Sequence, residues 1–307
     1  MIPDNKMFYQ KNYMKIKSLY LIILFFIFIL GIIIWYYKVF TYNDFSKSEK
    51  CILNLNKKIE SKKNPDYSFF IAGHVYGSPN SNNLGIYPKF YNNLFTKKNI
   101  FDFGIFAGDV TRKGDKENWD FFDNQINNFD FKIYIAPGNH DIGSTKDSIK
   151  RIDFKKRYGD LYRSIKFKND LFIILDPYEN QWSIKNQQLD FLKKELQQNY
   201  QIVDNIFIIS HPVIYINEKF NVEVNSYSGA GKHLNFWDEI YPLIKRYDNN
   251  YYIVAGDVGA FGNGFELFCK KFEKTIFLAT GMGGGINDNY LIFTKINNKI
   301  KIFLEVF

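Results

Sequence analysis

Hydrophobic positions along the chain fall into three regimes. Residues 19–37 carry no charge and are almost entirely Leu, Ile, Phe and aromatic side chains. Nineteen helical residues at about 1.5 Å each would span roughly the hydrocarbon core of a bilayer. Trp35, Tyr36 and Tyr37 stand at its end, where an interfacial aromatic belt belongs. A cleaved signal peptide is the rival reading, but its apolar region would be shorter and followed by small residues. The expectation is one transmembrane anchor over 18–38, behind a basic head over 1–17. Lys6, Lys11, Lys15 and Lys17 precede the span, against Lys38, Lys47 and Lys50 after it. That small bias predicts a cytoplasmic N-terminus in the cell membrane and an extracytoplasmic body. Residues 39–65 are polar and charged and read as a linker.

From 66 to 307 the pattern changes to short apolar runs separated by longer amphipathic stretches. Runs at Tyr67–Ala72, Phe103–Ala107, Lys132–Ala136, Leu171–Leu175, Ile206–Ile209 and Tyr251–Ala255 are β-branched or aromatic and stop at Gly, Pro or polar clusters. Helical spacing is clearest over Ser183–Gln198, with Leu189, Leu192 and Leu196, and over Asn235–Tyr247. The alternation predicts an α/β domain. Three further strands are predicted at Thr275–Thr280, Tyr290–Ile296 and Ile300–Phe307, the last two joined by a turn at Asn297-Asn298. They make the sheet mixed rather than purely parallel. No internal repeat is visible.

Composition narrows the classes. The chain has 307 residues, 46% hydrophobic and 19% aromatic, enough to bury a large core and inconsistent with disorder. The net charge of +8 is nearly all scattered Lys, without the clustered Arg of a nucleic-acid footprint, so no nucleic-acid partner is expected. Two cysteines cannot form a disulfide framework. Cys51, in the linker, and Cys269, in the body, are expected to stay unpaired, and neither is read as a nucleophile.

The chemistry lies at strand ends. Only four histidines occur, and His74, His140 and His211 each closely follow an apolar run. In α/β sheets ligands bind at the carboxyl ends of strands. Gly108-Asp109, Gly138-Asn139-His140-Asp141 and Ser210-His211 place an Asp, an Asn and two His there, a donor set suited to hard or borderline cations. In this ordered set the sequence resembles the calcineurin-like metallophosphoesterases, whose series is Asp-x-His, Gly-Asp, Gly-Asn-His-Asp/Glu, His, then Gly-His-x-His. The resemblance covers residues 66–285 or so. The Trp182–Leu196 helix and the Phe277–Gly285 loop are similar to features of many members. It implies a four-layer αββα sandwich with two mixed sheets. It also implies a hydrolase that opens a phosphomonoester or phosphodiester with metal-activated water.

Matched residue by residue, the resemblance makes Asp109 the bridging ligand and Asn139 and His211 ligands of the second metal. It makes His140 the group facing the phosphate and leaving oxygen, with Asp141 orienting His140 through a hydrogen bond. Two motifs depart. Ala72-Gly73-His74-Val75-Tyr76-Gly77 stands where Asp-x-His-Gly is expected. Either His74 takes the Asp position and Tyr76 the His, as Gly77 favours, or His74 takes the His position and Ala72 the Asp. Gly256-Asp257-Val258-Gly259 replaces Gly-His-x-His, so Asp257 substitutes for the first His and nothing replaces the second. The second-metal shell stays full with Asp109, Asn139, His211 and Asp257. The first is thin, with Asp109, His74 and a phenol that must lose a proton near pH 10 to bind most cations. One ion, two ions and an inert site are all open, with Mn, Fe or Zn as the implied metals. Tyr76, Arg112 and His233 are further candidates for metal or substrate contact. The implied substrate is a phosphorylated small molecule, lipid or glycan. The alternative is a degenerate member that binds a phosphorylated ligand without turnover. The glycines at 281 and 283–285 lack the Gly-Lys-Ser/Thr of a P-loop and read as a structural turn rather than a phosphate cradle.

Overall fold

The computed structural model describes residues 21–32, 49–51, 54–55, 65–216, 234–259 and 267–307. The chain divides into two units, residues 1–48 and 49–307. In the first, residues 21–32 are helical and exposed apart from Ile29. The rest of the expected 18–38 span, with Trp35–Tyr37, lies outside the described residues. Among the described residues no helix is long and apolar enough to cross a membrane.

The second unit is built on two mixed sheets with helices, an α/β sandwich. One sheet has six strands: β2 (Asn54–Leu55), β13 (Lys299–Val306), β12 (Asn289–Ile296), β3 (Tyr67–Ala72), β4 (Phe103–Ala107) and β5 (Lys132–Ala136), in that spatial order. The other has seven: β1 (Glu49–Lys50), β10 (Leu267–Phe272), β11 (Thr275–Thr280), β9 (Asn250–Ala255), β8 (Asn205–Ser210), β7 (Asp170–Ile174) and β6 (Arg163–Phe167). Strands β3, β4 and β5 run parallel, as do β7, β8, β9 and β11.

Side-chain alternation sorts the core. Phe69, Ile71, Phe103 and Ile105 of one sheet meet Phe172, Ile174, Phe207, Ile209 and Val254 of the other. Phe69 stacks on Phe103 and Phe293 at 4.9 and 4.8 Å, and meets Phe172 and Phe207 edge-on at 5.1 and 5.3 Å. The opposite parity, Phe70, Ala72 and Phe106, packs with Phe90 and Leu94 of helix Pro88–Thr96, Trp119 and Phe122 of helix Lys116–Ile126, and Phe154 of helix Lys150–Tyr158. Both faces of the central strands are therefore buried, which is why they read as continuous apolar runs rather than alternating ones.

All nine predicted strands coincide with observed ones to within a residue at each end. The Asn297-Asn298 turn forms as read: both residues have positive φ, 50° and 62°, and Ile296 pairs with Lys299 across it. The Asn235–Tyr247 helix is interrupted. A π turn over Phe236–Ile240 precedes a short helix over Tyr241–Ile244, because Pro242 has no N–H to continue a regular ladder. Strands β6 and β10 were not expected. Their sequences, Arg-Ser-Ile-Lys-Phe and Leu-Phe-Cys-Lys-Lys-Phe, carry polar residues in the runs that would mark a strand.

Two short strands, β1 and β2, fall inside the stretch expected to be a linker, and each adds to the edge of a different sheet. Their placement corrects the reading of the cysteines. Lys50 pairs with Lys270 in the antiparallel β1–β10 ladder, so Cys51 stands opposite Cys269. The two form a disulfide with a Cα–Cα separation of 5.5 Å. Spacing in sequence concealed this, since 218 residues separate them. Closing so long a loop constrains the unfolded chain strongly. Reduction, or Cys51→Ser, is expected to cost about 2–5 kcal/mol of stability. Urea melts with and without reductant check it, and coincident midpoints would refute it.

Candidate metal centre

Five loops, all following parallel strands, build the site. Asp109 follows β4, the turn Asn139–Ile142 follows β5, His74 follows β3, and His211 and Asp257 follow β8 and β9 of the other sheet. The carboxyl ends of the two sheets thus meet at one point. The loops are tied to each other: His74 N–H donates to Gly108 O, Tyr76 N–H to Asp109 O, and the N–H groups of Gly256 and Asp257 to His211 O.

Asp109 sits at the centre, 1% exposed, with a left-handed φ of 53°. Gly108 before it has φ 84°, and a Cβ there would stand 2.5 Å from the His211 Cβ. Gly138 is required for another reason: a Cβ would lie 2.1 Å from Asp109 Oδ1. Both glycines are sites of close approach around one carboxylate, and a non-glycine residue at φ > 0 signals a functional constraint.

Three imidazoles surround that carboxylate. His211 Nε2 is 3.1 Å from Asp109 Oδ2, His74 Nε2 is 3.7 Å and His140 Nε2 is 4.0 Å. Asp257 Oδ1 is 3.8 Å from His211 Nε2. Each ring is oriented from behind by a carbonyl, which can only accept. His74 Nδ1 donates to Met282 O, His140 Nδ1 to Arg112 O and His211 Nδ1 to Ala107 O, each at 2.8 Å. In the neutral rings the lone pair is therefore on Nε2 in all three, aimed inward. Backbone-anchored Nδ1–H with a free Nε2 is the arrangement of metal-ligating histidines.

Among the described residues no group of three or more His, Cys, Asp or Glu side chains converges on one point as it stands. The chemistry of the donors fits a cation. His211 Nε2 is fully buried and, although within ion-pair distance of Asp109, lacks an aligned hydrogen-bond partner. Ligands about 2.0–2.2 Å from one tetrahedral ion stand roughly 3.3–3.6 Å apart, and the donor pairs at 3.1, 3.7 and 3.8 Å bracket that spacing.

Electrostatics follow from burial and proximity. Burial opposes charge on His211, but the carboxylates of Asp109 and Asp257 overcome it and raise its pKa to about 9. Burial likewise opposes charge on Asp109, yet His211, His140 and His74 hold its pKa well below the carboxylate range. Burial lowers His74 to about 4 and raises Asp257 to about 6. The site without a cation thus stores protons that a cation would displace.

Several expected roles change. Asp141 does not orient His140, whose Nδ1 is held by Arg112 O instead. The Asp141 carboxylate is occupied by the N–H groups of Val110, Thr111 and Gly138 and by the Thr111 hydroxyl. It is fully buried and braces the turn that carries Asp109. Arg112 turns its guanidinium to Ser81 O. Tyr76 is fully buried with its hydroxyl 3.4 Å from His140 Nε2, and burial pushes its phenol far up in the metal-free site. Ala72 lies within β3 and packs in the helix-side core, so only His74 of that motif faces Asp109. His233 lies outside the described residues. Asn139 Oδ1 accepts from Tyr178 OH at 2.9 Å. Tyr178, almost fully buried with its ring 6.3 Å from His211, went unnoticed in the sequence because no motif contains it.

No protein-family model and no curated protein matches the chain. Solved structures do. A dimetal phosphatase from Danio rerio superposes with a TM-score of 0.57 at 9% identity, over 79% of this chain and 99% of that one. A purple acid phosphatase from yellow lupin seeds gives 0.60 at 12% identity, over 78% of this chain and 51% of that one. The likeness is one of fold. The two-sheet α/β sandwich is shared with these phosphatases, while the site chemistry must be argued from this chain's own residues.

Proposed function

We propose that the chain is a membrane-anchored, metal-dependent phosphoric ester hydrolase whose body lies outside the cytoplasm. The observation that carries the enzymatic reading is the ring of three Nε2 atoms around the Asp109 carboxylate at the meeting point of two sheets. Asp109, His211, Asp257, Asn139 and His74 are the residues that would hold a cation. When bound, a cation supplies Lewis acidity toward a phosphoryl oxygen and lowers the pKa of water. The chain's residues supply the rest. Tyr178 holds Asn139 in place through its hydroxyl. Asp141 and Gly138 keep the Asp109 turn closed. Among the described residues His140 is the one imidazole with an accessible side chain, 38% exposed. With its Nδ1–H committed to Arg112 O, its Nε2 is the ring atom left to exchange a proton with a leaving oxygen. The disulfide supports an oxidising location, and the uncharged run over 19–37 supports the anchor.

The binding-only reading is favoured by one observation, the lack of a converged three-ligand group among the described residues, with Gly259 bringing no donor. Full-length chain in detergent, loaded separately with Mn(II), Fe and Zn, and assayed with p-nitrophenyl phosphate and its bis-ester, separates the two. Turnover with one ion is expected, and His140→Ala should lower kcat about 10²–10⁴-fold with metal content unchanged. Stoichiometric metal without turnover on either ester would sink the hydrolase.

A further inference from the structure

The three imidazoles are not secured alike. Ala107 and Arg112, which hold His211 and His140, belong to β4 or its following turn, next to Asp109 itself. Met282, which holds His74, lies in the glycine-rich loop after β11, 208 residues away in sequence. That loop has little else to fix it locally: four of its five residues are glycine. What closes it is one carboxylate. Asp288 Oδ1 accepts the N–H groups of Gly283 and Gly285 at 2.9 and 3.1 Å, and Oδ2 accepts that of Gly284 at 3.0 Å. Asp288 is itself fully buried, on the last residue before β12. The three successive amides form an anion-binding concavity of the kind that could cradle a phosphate, and here the chain's own carboxylate fills it.

We propose that Asp288 is a positioning residue for His74: by organising Gly283–Gly285 it presents Met282 O to the His74 Nδ1–H and so keeps the lone pair on Nε2, facing Asp109. The consequence for turnover rests on the hydrolase reading; the tautomer does not. Imidazole has two tautomers of similar energy in water, and the hydrogen bond made by one nitrogen decides the state of the other. Without a fixed acceptor at Met282, His74 distributes between both, and a proton on Nε2 would point at the carboxylate instead of a lone pair. The carbonyl anchors of His140 and His211 do not pass through this loop, so their tautomers are independent of Asp288.

The test is a long-range ¹H–¹⁵N spectrum of the metal-free full chain with labelled histidine. Four imidazoles give four resolvable patterns. The wild-type His74, assigned by its loss in His74→Gln, is expected in the Nδ1–H form. In Asp288→Ala it should become a mixture of tautomers while the patterns of His140 and His211 stay as in wild type. Asp288→Asn, of the same shape, retains an acceptor for part of the concavity and should return His74 most of the way. If the alanine variant does not fold, Asp288→Asn carries the test through the residual Nε2–H fraction that its single acceptor oxygen leaves on His74. If turnover exists in the wild type, kcat or metal affinity should fall about 10–100-fold in the alanine variant, the usual cost of losing an outer-shell partner. An unchanged His74 tautomer in both variants overturns the proposal. So does a change in all three imidazoles together, which would mean a general loosening. Absence of turnover in every form, with the tautomer shift present, would count against the hydrolase reading and leave the positioning role standing.

Discussion

Asp109→Asn is expected to abolish turnover, with a fall in kcat/KM of about 10³-fold or more, and to change the pH dependence of the metal-free fold. The first effect follows from position. Among the described residues Asp109 is the only carboxylate within ion-pair distance of all three imidazoles, and Asn keeps its size while removing the charge. Charge stabilisation at a metal centre is worth several kcal/mol, and each 1.36 kcal/mol is tenfold in rate. The second effect needs no metal and no substrate. His211 has its pKa raised from 6.5 to about 9, chiefly by Asp109 working against burial. A base whose folded pKa lies above its unfolded value contributes stability that is complete below pH 6.5 and lost as pH rises through 9. Asp257, raised by burial from 3.8 to about 6, acts with the same sign in a lower window. Asp141, raised to about 7 by burial and by Asp109, does too. His74 acts oppositely, gaining stability between pH 4 and 6.5. The metal-free wild type should therefore lose stability from pH 6.5 to 9. Asp109→Asn leaves His211 with burial as the dominant influence, so its ring stays neutral and the slope flattens. Thermal melts at pH 6.5, 7.5 and 9 with chelator read this directly. Parallel slopes in the two proteins would show that the Asp109–His211 pair does not govern the site.

The distinction between what could and could not be read from the sequence follows the range of the interactions. Strands β3 and β4 are legible because both their faces are buried, so each appears as an uninterrupted apolar run ended by glycine, and the edge strand β5, buried only at its end, is marked by Ile133–Ala136 before proline. Site residues immediately after those runs inherit that legibility: topology alone brings Asp109, His140 and His74 together. The roles of their neighbours do not follow from order. Asp141 adjoins His140 in sequence, yet the helical turn Asn139–Ile142 sends successive side chains apart, one to the mouth and one into the core. Tyr178 and Met282 reach the site from other elements, one by a phenol and one by a backbone carbonyl, neither of which leaves a mark in composition. The Cys51–Cys269 pair was hidden because it depends on the two-residue strand β1, shorter than any periodicity can reveal.

Lys295 illustrates the same limit and gives the largest stability effect expected outside the site. In sequence it reads as a solvent-facing residue near the end of a strand. Its parity says otherwise: Leu291 and Phe293 point between the sheets, and Lys295 continues that row, 2% exposed. Its ammonium lies 3.0 Å from Asp170 Oδ1 on the facing sheet and 3.1 Å from Asp204 Oδ2. Asp170, fully buried, also accepts from the Tyr67 hydroxyl and from Asn205 N and Nδ2. The cluster ties β12 and β3 of one sheet to β7 and β8 of the other. It sits where β3 begins, and His74 follows where β3 ends, six strand residues or about 20 Å further on. Lys295→Met keeps the volume but leaves the Asp170 charge uncompensated between two apolar faces, a loss of about 3–5 kcal/mol. For a unit of this size that corresponds to a fall in Tm of roughly 10 °C. Adding Asp170→Asn removes the stranded charge, so the double variant should recover part of the loss and show a coupling of at least about 1 kcal/mol. Metal content and kcat of the folded single variant should match wild type at 25 °C, because the clamp lies at the far end of the strands from the Asp109 cluster. A Lys295→Met protein that melts within about 2 °C of wild type would mean that the pair only breaks even against its desolvation, and that aromatic packing alone sets the sheets face to face.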